Sequence, residues 1–580
     1  MARITQRGHL VARQFVRTSL AVCFSILLIV STRVDSQSPV NNAPLSAGEV
    51  LAVMRAAEGA VMSPNLSVAV VDRAGRILGV VTRGEANRDP DIAVTTARAA
   101  AMFSNDQAPL SSRTVRFISG IHFPPGVRNA PPAALYGIEN TNRGCQLNAA
   151  DTAPFERPRS IAGSGLAGPA AACRPSDPSG CAIGESIAVD RTLNPYVGFS
   201  TGKTNVNDLG PPLEVPVNPG GFAIYRNGAV VGAVGVTGVV SAVAEFAAFV
   251  GAEGTKPTTG LSALPSNPLP SPAAVFIDGL RLPFFGTCNT VECVTAVIKA
   301  GAPRGSGGAS PASRVVVQPR AGLSVPTGYL IGPTASASPG GLTADDVRRI
   351  TEQAVARATV TRAQIRLPLT QPTQMIIAVS DEAGGILAAF RMPDATVFSF
   401  DVATTKARNA FYFSSREGYE VLRGLVTSNP DQYTWEPEPP AGQGWAITNR
   451  TLGFGGQPLF PPGIDLKGTS TGPWFELFRW DTLNPCTEGN GASRGQNRRF
   501  ANQSGIVWFP GSAPLYKGGR LVGGVGVSGD GVEQDDYVTA GAVAGFDAPA
   551  ALRVDNSVIR TRDGDVRLPY WKFPRNPELR

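Results

Sequence analysis

The chain has 580 residues, a formal net charge of +7 and 43% hydrophobic residues. Its 65 Gly and 49 Pro, set against that apolar content, describe packed cores carrying long irregular loops and exclude a wholly disordered chain. The basic residues are scattered, with no Lys/Arg run and no aromatic–basic alternation, which argues against a nucleic-acid partner.

The first segment reads as a targeting sequence. Arg3, Arg7, Arg13 and Arg17 give a basic start, Leu20 to Val30 an apolar core, and Val34-Asp35-Ser36 small residues for cleavage. A signal peptide over 1–36 is expected, and with it a soluble secreted or periplasmic protein. The apolar run is about half the ~20 residues that a helical crossing needs, so stable membrane insertion is not expected. Cys23 lies inside that run, and Val22 before it disfavours lipid attachment. Loss of Cys23 would leave Cys145, Cys173, Cys181, Cys288, Cys293 and Cys486. An even set in an oxidising compartment favours disulfides. Cys173/Cys181 and Cys288/Cys293 close short loops and leave Cys145 with Cys486, one pairing among many. Zinc is poorly served, because His122 is the one histidine beyond the signal.

In chain order, Leu45-Ser-Ala-Gly-Glu49 predicts a helix capped by Ser46, with Val50, Val53, Met54 and Ala57 on one face. Leu66 to Val81 predicts a hairpin around Asp72-x-x-Gly75, in which Asp72 bonds its own backbone. The segment from Asp91 to Ser104 predicts a helix with Ala93, Ala97 and Ala100 on one side, a face small enough to approach a sheet or a flat ligand closely. A Gly-, Pro- and Asn-rich stretch at 105–220 reads as an insertion, of the kind that usually carries function or interactions. Phe222 to Thr237 predicts a second hairpin turning at Asn227-Gly228, and Val239–Phe249 a helix.

The same order then returns. Thr343 caps a helix carrying Val347, Ile350 and Ala354, a hairpin surrounds Asp381-x-x-Gly384, and a helix follows Asp401. An insertion spans 415–512, Leu515 to Ser528 forms a hairpin, and Val532–Phe546 a helix. Asp401-Val-Ala-Thr-Thr-Lys-Ala-Arg-Asn-Ala-Phe-Tyr-Phe-Ser414 repeats the Asp91 segment in register. Gly523-Gly-Val-Gly-Val-Ser-Gly529 repeats Gly232-Ala-Val-Gly-Val-Thr-Gly238, and Arg567-Leu-Pro-Tyr-Trp571 repeats Arg281-Leu-Pro-Phe-Phe285. Ordered matches at near-constant separation predict a tandem duplication. The expectation is an α+β protein of two domains, 45–287 and 342–575, joined by a linker at 288–341, each an antiparallel sheet flanked by helices.

Few constellations carry chemistry. Gly524-Val-Gly-Val-Ser-Gly529 fits the dinucleotide pattern, but its strand belongs to a tight hairpin and Ala233 stands in the first copy, so close backbone packing is the better reading. A Ser-His-Asp or Cys-His machine would have to use His122, in Ile121-His-Phe-Pro-Pro-Gly126. That residue reads either as a loop histidine packed on prolines or as an axial ligand to haem iron. Asp530, Glu533, Asp535 and Asp536 could hold calcium, although favourable charge at a helix N-terminus explains them more simply.

The Ala-Val-Val-Asp-x-x-Gly hairpin, the Asp-x-Ala-x-x-x-Ala-Arg helix and the Gly-x-Val-Gly-Val-Ser/Thr-Gly strand, found twice in that order, resemble the GlcG/HbpS family and the C-terminal domain of PduO-type proteins. Gln534-Asp535 and Lys406 also fit, whereas Thr96 and Ser241-Ala242-Val243 depart from the pattern. The resemblance implies an antiparallel sheet flanked by helices, a tendency to form homo-oligomers, and in some members haem or tetrapyrrole binding. It nominates Arg98 and Arg408 for propionate charges, Lys406 as a further cation and His122 for the iron. The resulting expectation is an exported, non-catalytic ligand-binding protein. The alternatives are an interaction protein displaying its long loops to a partner, or an enzyme.

Overall fold

In a computed structural model, the described residues are 43–84, 89–121, 131–138, 141–142, 219–265, 275–277, 280–286, 312–368, 370–460, 470–483 and 505–579. The signal segment, His122 and all six candidate disulfide cysteines lie outside them. Residues 43–580 cluster as one compact unit.

The protein is α+β. In the first half, helix α1 (Ala47–Gly59) precedes strands β1 (Leu66–Asp72) and β2 (Ile77–Arg83). Helices α2 (Asp89–Phe103) and α3 (Ser112–Gly120) follow, then β3 (Gly221–Arg226), β4 (Ala229–Thr237) and α4 (Ser241–Glu253). Short strands β5 (Leu261–Ser262), β6 (Phe276–Ile277) and β7 (Leu280–Arg281) lead on to β8 (Arg314–Val317). The second half runs β9 (Gly328–Ile331), α5 (Ala344–Val360), β10 (Ile376–Asp381), β11 (Ile386–Arg391) and α6 (Ser399–Ser414). Then come α7 (Arg416–Thr427), β12 (Thr434–Glu436), α8 (Asn449–Gly455) and α9 (Phe475–Leu483). Strands β13 (Ser512–Lys517) and β14 (Arg520–Ser528), helix α10 (Val532–Ala542), and strands β15 (Val558–Thr561) and β16 (Gly564–Arg567) close the chain.

Two antiparallel sheets carry the halves, in the orders β5-β3-β4-β1-β2-β8 and β13-β14-β10-β11-β9. Their registers correspond residue by residue. Val70 faces Val234 and Asp72 faces Gly232 in one, while Val379 faces Val525 and Asp381 faces Gly523 in the other. The first hairpins share a bulge, at Val70/Val71 and at Val379/Ser380. Strand alternation divides the first sheet cleanly. Val68 and Val70 join α1 and α4 in one core, while Ala69 and Val71 join Ala93, Ala97 and Ala100 of α2 in another.

The small-residue faces permit close approach. A Cβ on Gly235 would strike the Ala93 carbonyl, and one on Gly526 the Ala403 carbonyl, so each helix backbone rests almost on its sheet. Both predicted capping boxes form, Ser46 with Glu49 and Thr343 with Asp346. The Asn227-Gly228 turn has φ of 50° and 86°, as the tight hairpin requires.

Two sequence expectations change. The segment read as a linker supplies an edge strand to each sheet: Val317 pairs with Val80 in the first, and Ile331 with Ala389 in the second. The two attachments continue alike. Arg320 N donates to the Leu78 carbonyl and Thr334 N to that of Leu387, at 2.8 and 3.0 Å. Gly322 N and Ser336 N reach Leu45 and Leu342, both at 2.8 Å. The segments read as insertions also contain regular structure, including α3 and α8. These occupy matching places, because Ser111 and Thr448 cap them and donate to the carbonyls of Phe284 and Tyr570.

Candidate functional site

Each first hairpin is held by its aspartate. Asp72 Oδ1 accepts from Ala74 N and Arg76 N, both at 3.0 Å, and Asp381 Oδ1 from Ala383 N and Gly385 N at 3.0 and 2.8 Å. Burial pushes the Asp72 carboxyl up to about 6. The left-handed glycines that end these turns, Gly75 and Gly384, offer their carbonyls to Arg98 Nε and Arg408 Nε, both at 2.8 Å. Arg98 is 1% exposed and Arg408 0%. Burial lowers Arg408 to about 9. The two nominated arginines therefore tie α2 and α6 to the hairpin turns.

Lys406, two residues before Arg408 on α6, is fully buried. Its Nζ donates to the Val527 carbonyl at 2.8 Å and to Asp535 Oδ2 at 2.9 Å, and sits 4.9 Å from the Phe509 ring centroid. Burial pushes Asp535 up to about 7 against the pull of Lys406, and it lowers Lys406 in turn. This pair fastens α6 to the first turn of α10 across the end of β14. The second half alone has it, because Thr96 and Ala244 stand in the corresponding places of the first.

The acidic cluster at the start of α10 is not a set of free helix-end charges. Every member faces its own cation: Asp530 pairs with Arg366, Asp535 with Lys406, Asp536 with Arg450, and Glu533 with Lys572. Among the described residues, no group of three or more His, Cys, Asp or Glu side chains is arranged to hold a metal. Nor does the first half lack acid here. Glu245, fully buried, stands where Asp536 stands and takes a bidentate contact from Arg113 at 2.7 and 2.8 Å. Arg113 and Arg450 follow the caps of α3 and α8, so one strut recurs in both halves. Sequence reading missed it, although Ser111-Ser-Arg-Thr114 and Thr448-Asn-Arg-Thr451 carry the signal.

A second missed group joins the halves. Arg366, 2% exposed, lies between Asp530 and Asp394, the latter at 2.5 Å. Arg73 of the first half reaches the same Asp394 at 2.5 Å and Asp106 at 3.2 Å. Arg73 and Arg366 hold the Asp394 carboxyl well below the usual carboxylate range despite its burial.

Comparison with known proteins bears on the second half. A family model described as haem-degrading protein HbpS-like matches residues 466–544, which include α9, β13, β14 and the whole of α10 with Asp535. The chain carries an HbpS-like domain. Two solved structures resemble the chain. One is described as a PduOC–haem complex, at 20% identity, covering 36% of this chain and 97% of that one with a TM-score of 0.19. The other is the Klebsiella pneumoniae protein ORFY of the DUF336 family, at 18% identity, covering 36% and 94% with a TM-score of 0.19. No curated protein matches. Of the four residues nominated for a tetrapyrrole, Arg98, Arg408 and Lys406 are occupied inside the protein, and as placed they do not fit a propionate contact. His122 lies outside the described residues.

Proposed function

We propose that the protein is an exported ligand-binding protein that holds haem or another tetrapyrrole without turning it over. The observation that carries tetrapyrrole binding is the match of residues 466–544 to a family described as haem-degrading and HbpS-like; the absence of turnover is proposed from the sequence, which offers His122 alone as a histidine base beyond the signal segment. The proposed iron ligand is His122, the one histidine outside the signal segment. Export rests on the basic start and apolar core of residues 1–36, and with it the proposed disulfides Cys173–Cys181, Cys288–Cys293 and Cys145–Cys486.

The test is titration of the purified protein with haemin. A saturable Soret shift, displaced in the His122→Ala variant while far-UV circular dichroism is unchanged, supports the proposal. A spectrum identical to free haemin at every ratio removes it. A second reading, an interaction protein that displays its loops, is favoured by the enclosure of all three described candidate cations. It predicts co-purification of a protein partner from the native host in place of a chromophore.

A further inference from the structure

The halves share their sheet registers, and several of their differences lie where they touch. In the first half, Ser104 Oγ donates to the Leu110 carbonyl at 3.0 Å and accepts from Leu110 N at 2.9 Å, closing a short turn after α2. In the second half, Ser414 and Ile447 make the same reciprocal pair at 3.2 and 2.9 Å. What lies between them differs. Residues 105–109 of the first half enter the second: Asn105 Nδ2 donates to the Ile365 carbonyl at 3.0 Å, Asp106 N to Asp394 Oδ2 at 3.0 Å, and Gln107 Oε1 accepts from Arg366 at 3.2 Å. Phe103 stacks on Phe398 at 4.2 Å, and Arg73 adds the contact with Asp394. In the second half that position is filled by residues 416–446, which build α7 and β12. Strand β12 pairs with β15, and Tyr419 and Trp435 sink into an aromatic core.

The receiving side is equally one-sided. Ile365 and Arg366 belong to the connection between Val360 and Ile376, whereas the first half joins α1 to β1 through residues 60–65 alone. Arg73 has Glu382 as its counterpart, which would face Asp394 with the wrong sign. Among the described residues, the first half has no counterpart of Ile365 and Arg366, and the second half has no counterpart of the 105–109 turn.

We propose that the halves form a one-way plug and socket, with residues 103–107 and Arg73 as plug, and Ile365, Arg366, Asp394 and Phe398 as socket. Contacts of this head-to-tail kind propagate into open chains when both faces persist on every repeat. Here the excursion 416–446 and the short connection 60–65 remove the spare faces, so the partner of each half is the other half of the same chain. This holds whether or not a tetrapyrrole is bound.

The test places a protease recognition sequence at 324–327, between β8 and β9, in the full-length protein, and cuts it in reducing buffer so that no disulfide can hold the pieces. Size-exclusion chromatography with light scattering then reads the assembly. The expected result is a 1:1 complex of the intact mass, stable to dilution, and loosened at least about tenfold by Arg73→Glu or by Phe103→Ala. Uncut versions of both variants should keep their circular dichroism, since the tether maintains a high effective concentration. Separation of the wild-type pieces, homo-oligomers of either piece, or unaltered association in both variants would overturn the proposal.

Discussion

The Lys406–Asp535 pair gives the sharpest energetic test, because the same chain contains its own replacement. Both groups are essentially unexposed, and Asp535→Ala would leave an ammonium with only the Val527 carbonyl and the Phe509 ring. Removing one partner of a buried pair costs about 3–5 kcal/mol. Lys406→Thr should cost less, about 1–3 kcal/mol, since the stranded carboxyl can take up a proton. The double variant Lys406→Thr/Asp535→Ala recreates the Thr96/Ala244 arrangement of the first half and removes both charges together. Its cost should fall below the Asp535→Ala value, with a coupling of at least ~2 kcal/mol in the cycle. Urea unfolding followed by tryptophan emission reads all four proteins, because Trp435, Trp474 and Trp508 are buried in the same half. Strictly additive losses would refute the reasoning, since they would mean that the two charges do not sense each other.

Three further outcomes follow from single contacts. Gly511→Ala should lower the unfolding midpoint sharply, because φ is +112° and the new Cβ would lie 2.6 Å from Asp535 Cβ and 2.7 Å from Lys406 Nζ; a shift no larger than that of an exposed Gly442→Ala control would contradict this. Arg450→Ala strands Asp536, which still accepts from Gly511 N and Lys572 N at 3.0 Å and can take up a proton, and should cost about 1–3 kcal/mol in urea unfolding, whereas exposed Arg479→Ala should cost almost nothing. Asp72 sets a pH dependence: burial raises it to about 6, so between about pH 4 and 6 the folded chain holds a proton that the unfolded chain has lost, and stability falls as pH rises. Below that window the contribution is fully present. The urea midpoint of Asp72→Asn should therefore decline less steeply than wild type from pH 4 to 6, and parallel curves would show that desolvation does not govern this carboxyl.

What was legible in the sequence was local. Ser46 with Glu49, Asp72 with Ala74, and the Asn227-Gly228 turn all settle their partners within a few residues, so spacing alone places them. The alanine faces of α2 and α6 were legible for the same reason, as a period rather than a partner. The plug was not: Arg73 and Asp394 lie 321 residues apart, and neither sits in a motif that distinguishes it from a solvated charge. Strand β8 was hidden differently. Arg314-Val-Val-Val317 is a sound strand signal, but its Pro-rich surroundings read as a tether, and its pairing with β2 shows that it completes a sheet.

The distribution of buried charge between the halves also separates architecture from binding. The Arg113–Glu245 and Arg450–Asp536 struts are present in both halves, at the place where a capped helix meets the sheet, which marks them as part of the shared fold. Lys406–Asp535 is present in one half, and small uncharged residues, Thr96 and Ala244, stand at both corresponding places of the other. A buried charge lost singly would cost more than the domain gains from it, whereas joint loss is nearly neutral. The first half therefore folds without this pair. A role beyond folding, if the pair has one, belongs to the half that matches the HbpS-like family. Comparing haemin affinity in Lys406→Thr/Asp535→Ala with that in Arg450→Ala distinguishes the cases, because a purely architectural pair would weaken binding no more than its loss of stability does.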